Sequence, residues 1–224
     1  MREFPFIDLH THQPKPSKAK SRSILNVLAG NPLPDDPSIL CSYGIHPWQI
    51  KAGNLTYLIE KLKQEASKQQ VIAIGETGLD KLIETPIKEQ EAIFEIHIEI
   101  AAEYSKPLII HGVKAYSELL AMRKKYPSGI WIIHGFNGKT ELASQLIDKD
   151  IKLSIGSALT KPNRNISQAL TAIPLTQLFL ETDEQTDFSI EEIYRQAAKI
   201  LEMDLDSLKR QLFHNFAAHF LNQV

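Results

Sequence analysis

Three polar residues near the N-terminus have a spacing that is typical of metal ligands. Asp8, His10 and His12 alternate with apolar or small neighbours. Because successive side chains of an extended strand point to opposite faces, this carboxylate and two imidazoles project to the same side. Burying three such groups without partners is costly, and a bound cation is a partner for all of them. We therefore interpret this stretch as part of a metal site.

The elements that must position this site are predicted from hydrophobic periodicity. Apolar runs predict eight strands, near residues 4, 23, 39, 71, 108, 130, 151 and 177. Helices are predicted over 54–69, 87–104, 115–125, 140–149, 165–172, 189–201 and 206–221. From the third strand onward, strands and helices alternate, which favours a parallel sheet. Eight such units predict a (β/α)8 TIM barrel that forms one domain over residues 1–224.

Polar residues close several of the predicted strands, and a barrel would gather them at one face. The active site of such a barrel lies at the C-terminal ends of its strands. Besides the first strand, the residues at or just beyond strand ends are His46, Glu76, His111, His134 and Asp183. The three remaining histidines, His97, His214 and His219, fall in predicted helices, and we interpret them as ordinary surface or capping residues.

The number and type of these groups suit two divalent cations. One cation would be bound by His10, His12, Glu76 and Asp183, and a second by Glu76, His111 and His134, with the glutamate bridging. Nitrogen and oxygen ligands without thiolate suit zinc, manganese or magnesium. Two such ions activate a water, and the carboxylate of Asp183 is placed to accept its proton.

Two further residues at this face have less direct assignments. His46 is expected beside the metals, where it would bind substrate or hold a metal ligand in place. A structural role before Pro47 is an equal alternative. Because enough ligands are found elsewhere, Asp8 is expected to accept a hydrogen bond from a histidine and orient it.

Composition excludes several classes of protein. The 224 residues carry a formal net charge of -2, with a sequence pI near 6.5, which argues against binding nucleic acid by bulk electrostatics. The single cysteine, Cys41, lies in a predicted strand and is expected to be a buried thiol. No apolar run reaches the roughly 18 to 20 residues needed to span a bilayer. Since the metal motif begins at residue 8, we expect no signal peptide and a cytoplasmic location.

Seven motifs, taken in order, resemble the TatD-related metal-dependent hydrolases, a branch of the amidohydrolase superfamily. They are Asp8-Leu9-His10-Thr11-His12, Gly44-Ile45-His46-Pro47, Gly75-Glu76-Thr77-Gly78-Leu79-Asp80, Ile110-His111, His134-Gly135-Phe136-Asn137-Gly138, Glu181-Thr182-Asp183 and Asn215-Phe216. The resemblance covers essentially the whole chain. It implies a TIM-barrel hydrolase with one or two divalent metals, a deoxyribonuclease activity, and the ligand scheme given above.

The chain departs from this family in regions that set substrate choice. The sequence between His12 and Gly44 is short, which predicts a barrel slightly reduced in its early helices. After His111, where the family often has a serine and an arginine, the chain has Gly112-Val113-Lys114. Lys114 is therefore a candidate for contact with a phosphate, as a point charge without the bidentate geometry of arginine.

These observations favour a divalent-metal phosphodiesterase that acts on DNA, without an obligate protein partner or a membrane. The candidates for phosphate contact are Lys114, Lys139, Lys161 and Arg164, and Trp48 and Phe136 are candidates for stacking on a base, with a core or lid position as the alternative. A second hypothesis is a metal-dependent hydrolase of carboxylic esters or amides, such as an aminoacyl ester on tRNA. A third is a non-catalytic binding protein on a retained barrel.

Overall fold

The computed structural model describes residues 3–13, 20–51, 54–161 and 163–221, which contain eight parallel strands paired in chain order. These strands are β1 Phe6–Thr11, β2 Ser21–Leu28, β3 Leu40–Gly44, β4 Val71–Asp80, β5 Leu108–Val113, β6 Trp131–Ile133, β7 Ile151–Ile155 and β8 Leu178–Leu180. The last strand returns to the first at a bridge between Thr11 and Asp183. There the amide of Asp183 donates to His10 O at 2.9 Å, and the amide of His12 donates to Asp183 O at 3.2 Å. The sheet is thus a nearly closed barrel, as predicted.

Each strand from β3 to β8 is followed by a helix, in some cases after a short 3₁₀ turn. The helices are α1 Leu55–Ala66, α2 Ile87–Glu103, α3 Tyr116–Lys125, α4 Thr140–Ile147, α5 Arg164–Ala172, α6 Ile190–Ile200 and α7 Leu205–Phe216. The side chain of Ser189 accepts a hydrogen bond from the amide of Glu192, and the side chain of Glu192 accepts one from the amide of Ser189, which forms a capping box at the start of α6. The last helix ends earlier than predicted, since Ala217–Leu221 forms a π-helical turn. Within the described ranges, no helix has both the length and the apolar composition that a membrane crossing requires.

The early part of the barrel shows no helix in the residues that the structure describes. Among the described residues between Thr11 and Leu40, neither β1 nor β2 is followed by a helix. This confirms that the barrel is reduced in its early helices. The stretch 13–22 is polar, basic and contains two prolines, which predicts a loop. Residues 14–19 of this basic loop lie outside the described residues, while Ser21 and Arg22 already belong to β2.

A central apolar cluster holds the strands of the barrel together. It joins residues from six strands, which places it inside the barrel: Ile7, Leu9, Ile24, Ile72, Ala73, Ile109, Ile132 and Phe179. Phe216 of α7 and Phe220 of the turn behind it belong to the same cluster. Asn215 of α7 donates to Leu178 O at the start of β8, at 3.0 Å, so α7 lies at the N-terminal end of the strands. This end is packed, and the polar groups lie at the opposite end.

A glycine allows β4 and β5 to approach closely beside the site. Gly78 has a φ of +141°, and a Cβ there would collide with the carbonyl oxygen of His111. Only glycine tolerates this approach, since any side chain would meet backbone. In the resulting register, Gly78 is opposite His111, which places this histidine beside Glu76.

Candidate metal centre

The structure gathers the predicted site residues at the C-terminal ends of the strands. They surround a cavity of about 300 Å³, whose lining includes His12, His46, Glu76 and Asp183. Glu76 is the central group: it is buried in β4, and its two carboxylate oxygens face different sets of histidines. Each set comes from strands far apart in sequence, so the barrel alone brings them together.

The first set surrounds Oε2 of Glu76. His10 Nε2 lies 3.4 Å from this oxygen and 3.6 Å from Asp183 Oδ1. His12 Nε2 lies 3.8 Å from Glu76 Oε2 and 3.4 Å from Asp183 Oδ1. The two imidazole nitrogens are 3.3 Å apart. Four donor atoms from β1, β4 and the end of β8 therefore converge on one small volume.

The second set surrounds Oε1 of Glu76. His111 Nδ1 is 2.9 Å from this oxygen, His134 Nε2 is 2.8 Å away, and His46 Nε2 is 3.2 Å away. His134 also stands beside the first set, because its ring centroid is 4.3 Å from that of His10. The carboxylate of Glu76 thus connects the two sets, as a bridging ligand would.

The donor atoms of the first set fit a bound divalent cation. Ligands about 2.1 Å from a tetrahedral ion are about 3.4 Å from one another. The five separations given above run from 3.3 to 3.8 Å, and His10, His12 and Glu76 offer ligand atoms that all lie within 4.8 Å of one another. Two imidazoles and two carboxylates form a nitrogen and oxygen donor set, which suits zinc, manganese or magnesium. The second set is closer, at hydrogen-bond distances, and offers imidazole nitrogens around one carboxylate oxygen.

Charges within the cluster shift the pKa values of its side chains. Burial raises the pKa of Glu76, but the charge of His134 and hydrogen bonds from the neighbouring histidines outweigh it and hold the pKa well below its usual range. Burial lowers the pKa of His134, yet Glu76 and Glu181 raise it well above the ordinary histidine value. A hydrogen bond with Asp183 raises the pKa of His12. The carboxylates therefore favour protonation of His12 and His134, and a cation that takes the place of those protons would bind more tightly as the pH rises.

The hydrogen bonds of His46 define its tautomer. Its Nδ1 accepts a hydrogen bond from the backbone amide of Trp48 at 3.2 Å, which caps the 3₁₀ turn Pro47–Gln49. An accepting Nδ1 leaves the proton on Nε2, which faces Glu76. His46 is therefore a capping residue whose Nε2–H faces Glu76. Its role towards substrate or the metal ligands stays a prediction.

Asp8 supports the backbone that carries Asp183. Its carboxylate is buried and accepts hydrogen bonds from both the amide and the hydroxyl of Thr182, each at 2.8 Å. Asp183 itself has a φ of +55°, a strained conformation for a residue with a side chain. Asp8 thus helps to hold the loop that points Asp183 into the cavity. That Asp8 also orients a histidine stays a prediction.

Sequence reasoning missed Asn26, which holds Glu76 in place. The side-chain amide of Asn26 donates to Glu76 Oε2 at 2.9 Å, and its oxygen accepts from the Glu76 amide at 3.1 Å. The signal was present, because Asn26 is the one polar residue in the apolar run Ile24 to Leu28 of β2. A buried amide in such a strand requires a hydrogen-bond partner.

Two further acids stand behind the histidines. Asp80 is 3 % exposed, and its Oδ2 lies 3.5 Å from His111 Nε2. Glu181 is fully buried, accepts a hydrogen bond from the amide of Gly135 at 2.5 Å, and lies 3.6 Å from His134 Nδ1. Carboxylates behind metal-binding histidines orient the rings and raise their basicity. Both acids occur in motifs of the resemblance, but sequence reasoning gave neither a role.

The predicted basic contacts do not line the cavity. Lys114 is exposed at the end of β5, with a φ of +51°. Neither it nor Lys139, Lys161 or Arg164 belongs to the lining, and in the part of the chain that the structure describes no lysine or arginine does. Lys15 and Lys18 of the basic loop lie outside the described residues. Phosphate contact by Lys114 stays a prediction.

Three assignments made outside the metal site are decided by burial. The interpretation of His97 as a surface or capping residue was wrong: its ring is fully buried, with Nε2 accepting from the amide of Ile45 at 2.9 Å. Phe136 is fully buried too, so its alternative as a core residue is confirmed. Cys41 is buried as expected, and burial raises the pKa of its thiol to about 12.

A parallel barrel with histidines and carboxylates at its C-terminal face defines the class of metal-dependent barrel hydrolases. A family model described as "TatD related DNase" matches residues 15–221. The chain belongs to this family. The matched stretch begins after His12, so the histidine pair of β1 lies ahead of it.

Individual relatives agree with this assignment. The chain is 32 % identical over 151 residues to the Escherichia coli K12 protein named uncharacterized metal-dependent hydrolase YcfH. The aligned stretch covers 65 % of this chain and 56 % of that protein. The chain is 31 % identical over 151 residues to a Klebsiella pneumoniae protein named 3'-5' ssDNA/RNA exonuclease TatD, covering 62 % and 55 %. The matched stretches thus span little more than half of these relatives.

A solved structure shows the same fold. The TatD homologue YJJV from Escherichia coli K12 superposes with a TM-score of 0.83 and 21 % sequence identity, over 96 % of this chain and 98 % of the other.

Proposed function

We propose that this protein is a divalent-metal phosphodiesterase that acts on DNA, with Asp183 as the proton acceptor. The observation that carries the proposal is the position of Glu76, whose two oxygens face the two histidine sets. His10, His12, Glu76 and Asp183 would hold one cation, and Glu76, His111 and His134 a second. Bound there, such ions supply Lewis-acid polarisation of the scissile group and lower the pKa of water.

The residues around the cavity have the remaining roles. The side chain of Asp183 is 36 % exposed and lines the cavity, so it reaches a water at the reacting centre. Asp8, Asn26, Asp80 and Glu181 hold the charged groups in position, through the contacts described above. His46 directs an N–H at the same centre and would donate to an anionic oxygen of the substrate. The name of the Klebsiella relative, an exonuclease for single-stranded DNA and RNA, supports a nucleic acid substrate.

The test is hydrolysis of single-stranded DNA by purified protein with magnesium or manganese. Asp183→Asn should lower the rate by about 10² to 10⁴, the range for loss of a general base. The matched control is Asp187→Asn, which changes an exposed carboxylate outside the cavity and should leave the rate unchanged. Metal content is measured for each variant. Undiminished nuclease activity in Asp183→Asn would contradict the mechanism.

A second candidate function is hydrolysis of a carboxylic ester or amide, for example an aminoacyl ester on tRNA. One observation favours it. Among the described residues, the cavity lining contains carboxylates and histidines but no lysine or arginine, whose side chains would carry a lasting positive charge. A neutral carbonyl needs no such cation, whereas the charge of a phosphodiester would be neutralised only by the metals, with a hydrogen bond from His46. Turnover of ester substrates without release of nucleotides from DNA would establish this alternative.

A further inference from the structure

Trp48 exposes an unusually large aromatic surface beside the metal centre. Its side chain is 62 % exposed, whereas Trp131, the other tryptophan, is 1 % exposed and packs in the core. Large aromatic residues are seldom left in water, and where they are, they often mark a binding surface. Trp48 follows His46 by two residues and lines the cavity.

The exposed ring is held in a fixed orientation. Its indole Nε1 donates to Asp80 Oδ2 at 2.9 Å. The ring also packs against His46 in a T-shaped contact, with ring centroids 4.9 Å apart and an interplanar angle of 89°. Because the indole nitrogen is hydrogen-bonded and the ring packs against His46, the exposed ring is already oriented, which lowers the entropic cost of binding a ligand to it.

The surroundings of Trp48 show what kind of group it would contact. The rest of the lining is mainly imidazole and carboxylate, and Trp48 and Leu28 are its large apolar members. A cavity of about 300 Å³ is at the small end of the range for ligand sites and suits one small unit of a substrate. An anionic group at the metals and a planar group on the indole would occupy the two parts of this site together.

We propose that Trp48 is a specificity-determining residue, and that the heterocyclic base of the nucleotide next to the scissile bond stacks on its indole ring. This inference rests on the proposed function, since it requires a substrate that carries a base. Stacking on an aromatic side chain is tolerant of base identity, because every base has a flat face. The expected preference is therefore for substrates with a base over those without one.

The structure is also compatible with a different role for Trp48, in which it positions a residue of the metal centre. Asp80 Oδ2 accepts from the indole and lies 3.5 Å from His111 Nε2, so the indole could act on the metal centre through this carboxylate. The two roles depend on different parts of the side chain. Stacking requires the ring, and positioning requires the indole N–H. Trp48→Phe keeps an aromatic ring and removes the N–H, whereas Trp48→Ala removes both.

The experiment measures binding by calorimetry, with magnesium-loaded protein and two probes. Deoxyadenosine 5'-monophosphate carries phosphate, sugar and base, and deoxyribose 5-phosphate lacks the base. Trp48→Ala should weaken binding of the nucleotide between about 5- and 100-fold, as expected for one stacked base, and change binding of the sugar phosphate less than about twofold. Trp48→Phe should retain most of the affinity for the nucleotide. Magnesium affinity is measured for every variant.

Leu82→Ala is the matched control. Leu82 is 66 % exposed, its amide donates to the same Asp80 carboxylate, and its side chain is outside the cavity lining. It should bind both probes as the wild type does. Equal affinity of the wild type for the two probes overturns the proposal, as does a Trp48→Phe variant that is as impaired as Trp48→Ala and has lost magnesium affinity. Base-dependent binding without hydrolysis of DNA would support Trp48 as the stacking surface while contradicting the nuclease function.

Discussion

At the scale of single residues, the position of Glu76 depends on the side-chain amide of Asn26. Asn26 contacts both the carboxylate and the backbone amide of Glu76, and Ser42 in turn donates to Asn26 Oδ1 at 3.4 Å. A carboxylate that serves two sets of histidines must be held at a defined angle. The side chain of Asn26, on β2, holds the carboxylate of Glu76 at that angle. Asn26 itself takes no part in the proposed reaction.

Asn26→Ala should therefore weaken the metal centre without unfolding the protein. We expect metal affinity to fall about 10- to 100-fold, as for other residues that orient metal ligands. Stability of the metal-free protein should fall by about 1 to 3 kcal/mol, because the buried amide of Glu76 loses its partner. Calorimetric metal titration and urea unfolding measure the two effects. Asn165→Ala, at an exposed helical position, should change neither. Wild-type metal affinity in Asn26→Ala would contradict this role.

At the scale of elements, His97 connects α2 to the end of β3. Its Nε2 accepts from Ile45, the residue before His46, and its Nδ1 lies 2.7 Å from Ile93 O of the same helix. One ring nitrogen must accept and the other donate, so this arrangement requires the neutral ring. Burial lowers the pKa of His97 to about 4. The helix thus holds the strand end that presents His46 and Trp48.

The lowered pKa of His97 predicts a defined pH dependence of stability. Since the folded pKa is below the unfolded value of about 6.5, the stabilisation by neutral His97 is complete above that pH. It is lost as pH falls from 6.5 towards 4, with a total on the order of 3 kcal/mol. Urea unfolding of metal-free protein at several pH values measures this. His97→Gln, which keeps an acceptor and a donor but does not titrate, is the control. Parallel pH profiles for wild type and variant would refute the prediction.

At the scale of the whole molecule, the proposed cations join distant parts of the barrel. The ligand residues come from β1, β4 and β5 and from the segments that follow β6 and β8. A cation bound by all of them is bound only by the folded chain, so it stabilises the barrel as a whole.

Divalent metal should raise the melting temperature of the protein. At a free concentration 100 times the Kd, the stabilisation is about 2.7 kcal/mol, which corresponds to a shift of roughly 5 to 10 °C for a chain of this size. Calorimetric scans with magnesium, manganese or zinc, and with a chelator as the reference, measure the shift. His10→Asn should reduce it strongly, and Asp187→Asn should preserve it. An unchanged melting temperature with all three metals would contradict the assignment of the metal centre.

Much of this molecule follows from its sequence. The alternation of polar and apolar residues in β1, the apolar runs of β4 and β5, and the helical periodicity between them are local patterns, and they determined the barrel and the polar residues that close its strands. His10, His12, Glu76, His111, His134 and Asp183 were predicted as one cluster because parallel strands place all their C-terminal ends at one face.

The tertiary structure alone decided which side chains meet across that face. Asn26 on Glu76, Asp80 behind His111, Glu181 behind His134 and the burial of His97 all join residues from different elements. Strand and helix periodicity specify which way a side chain points from its own element, but not which partner a neighbouring element presents to it. The register of adjacent strands and the packing of each helix supply that information, and they exist only in the folded chain.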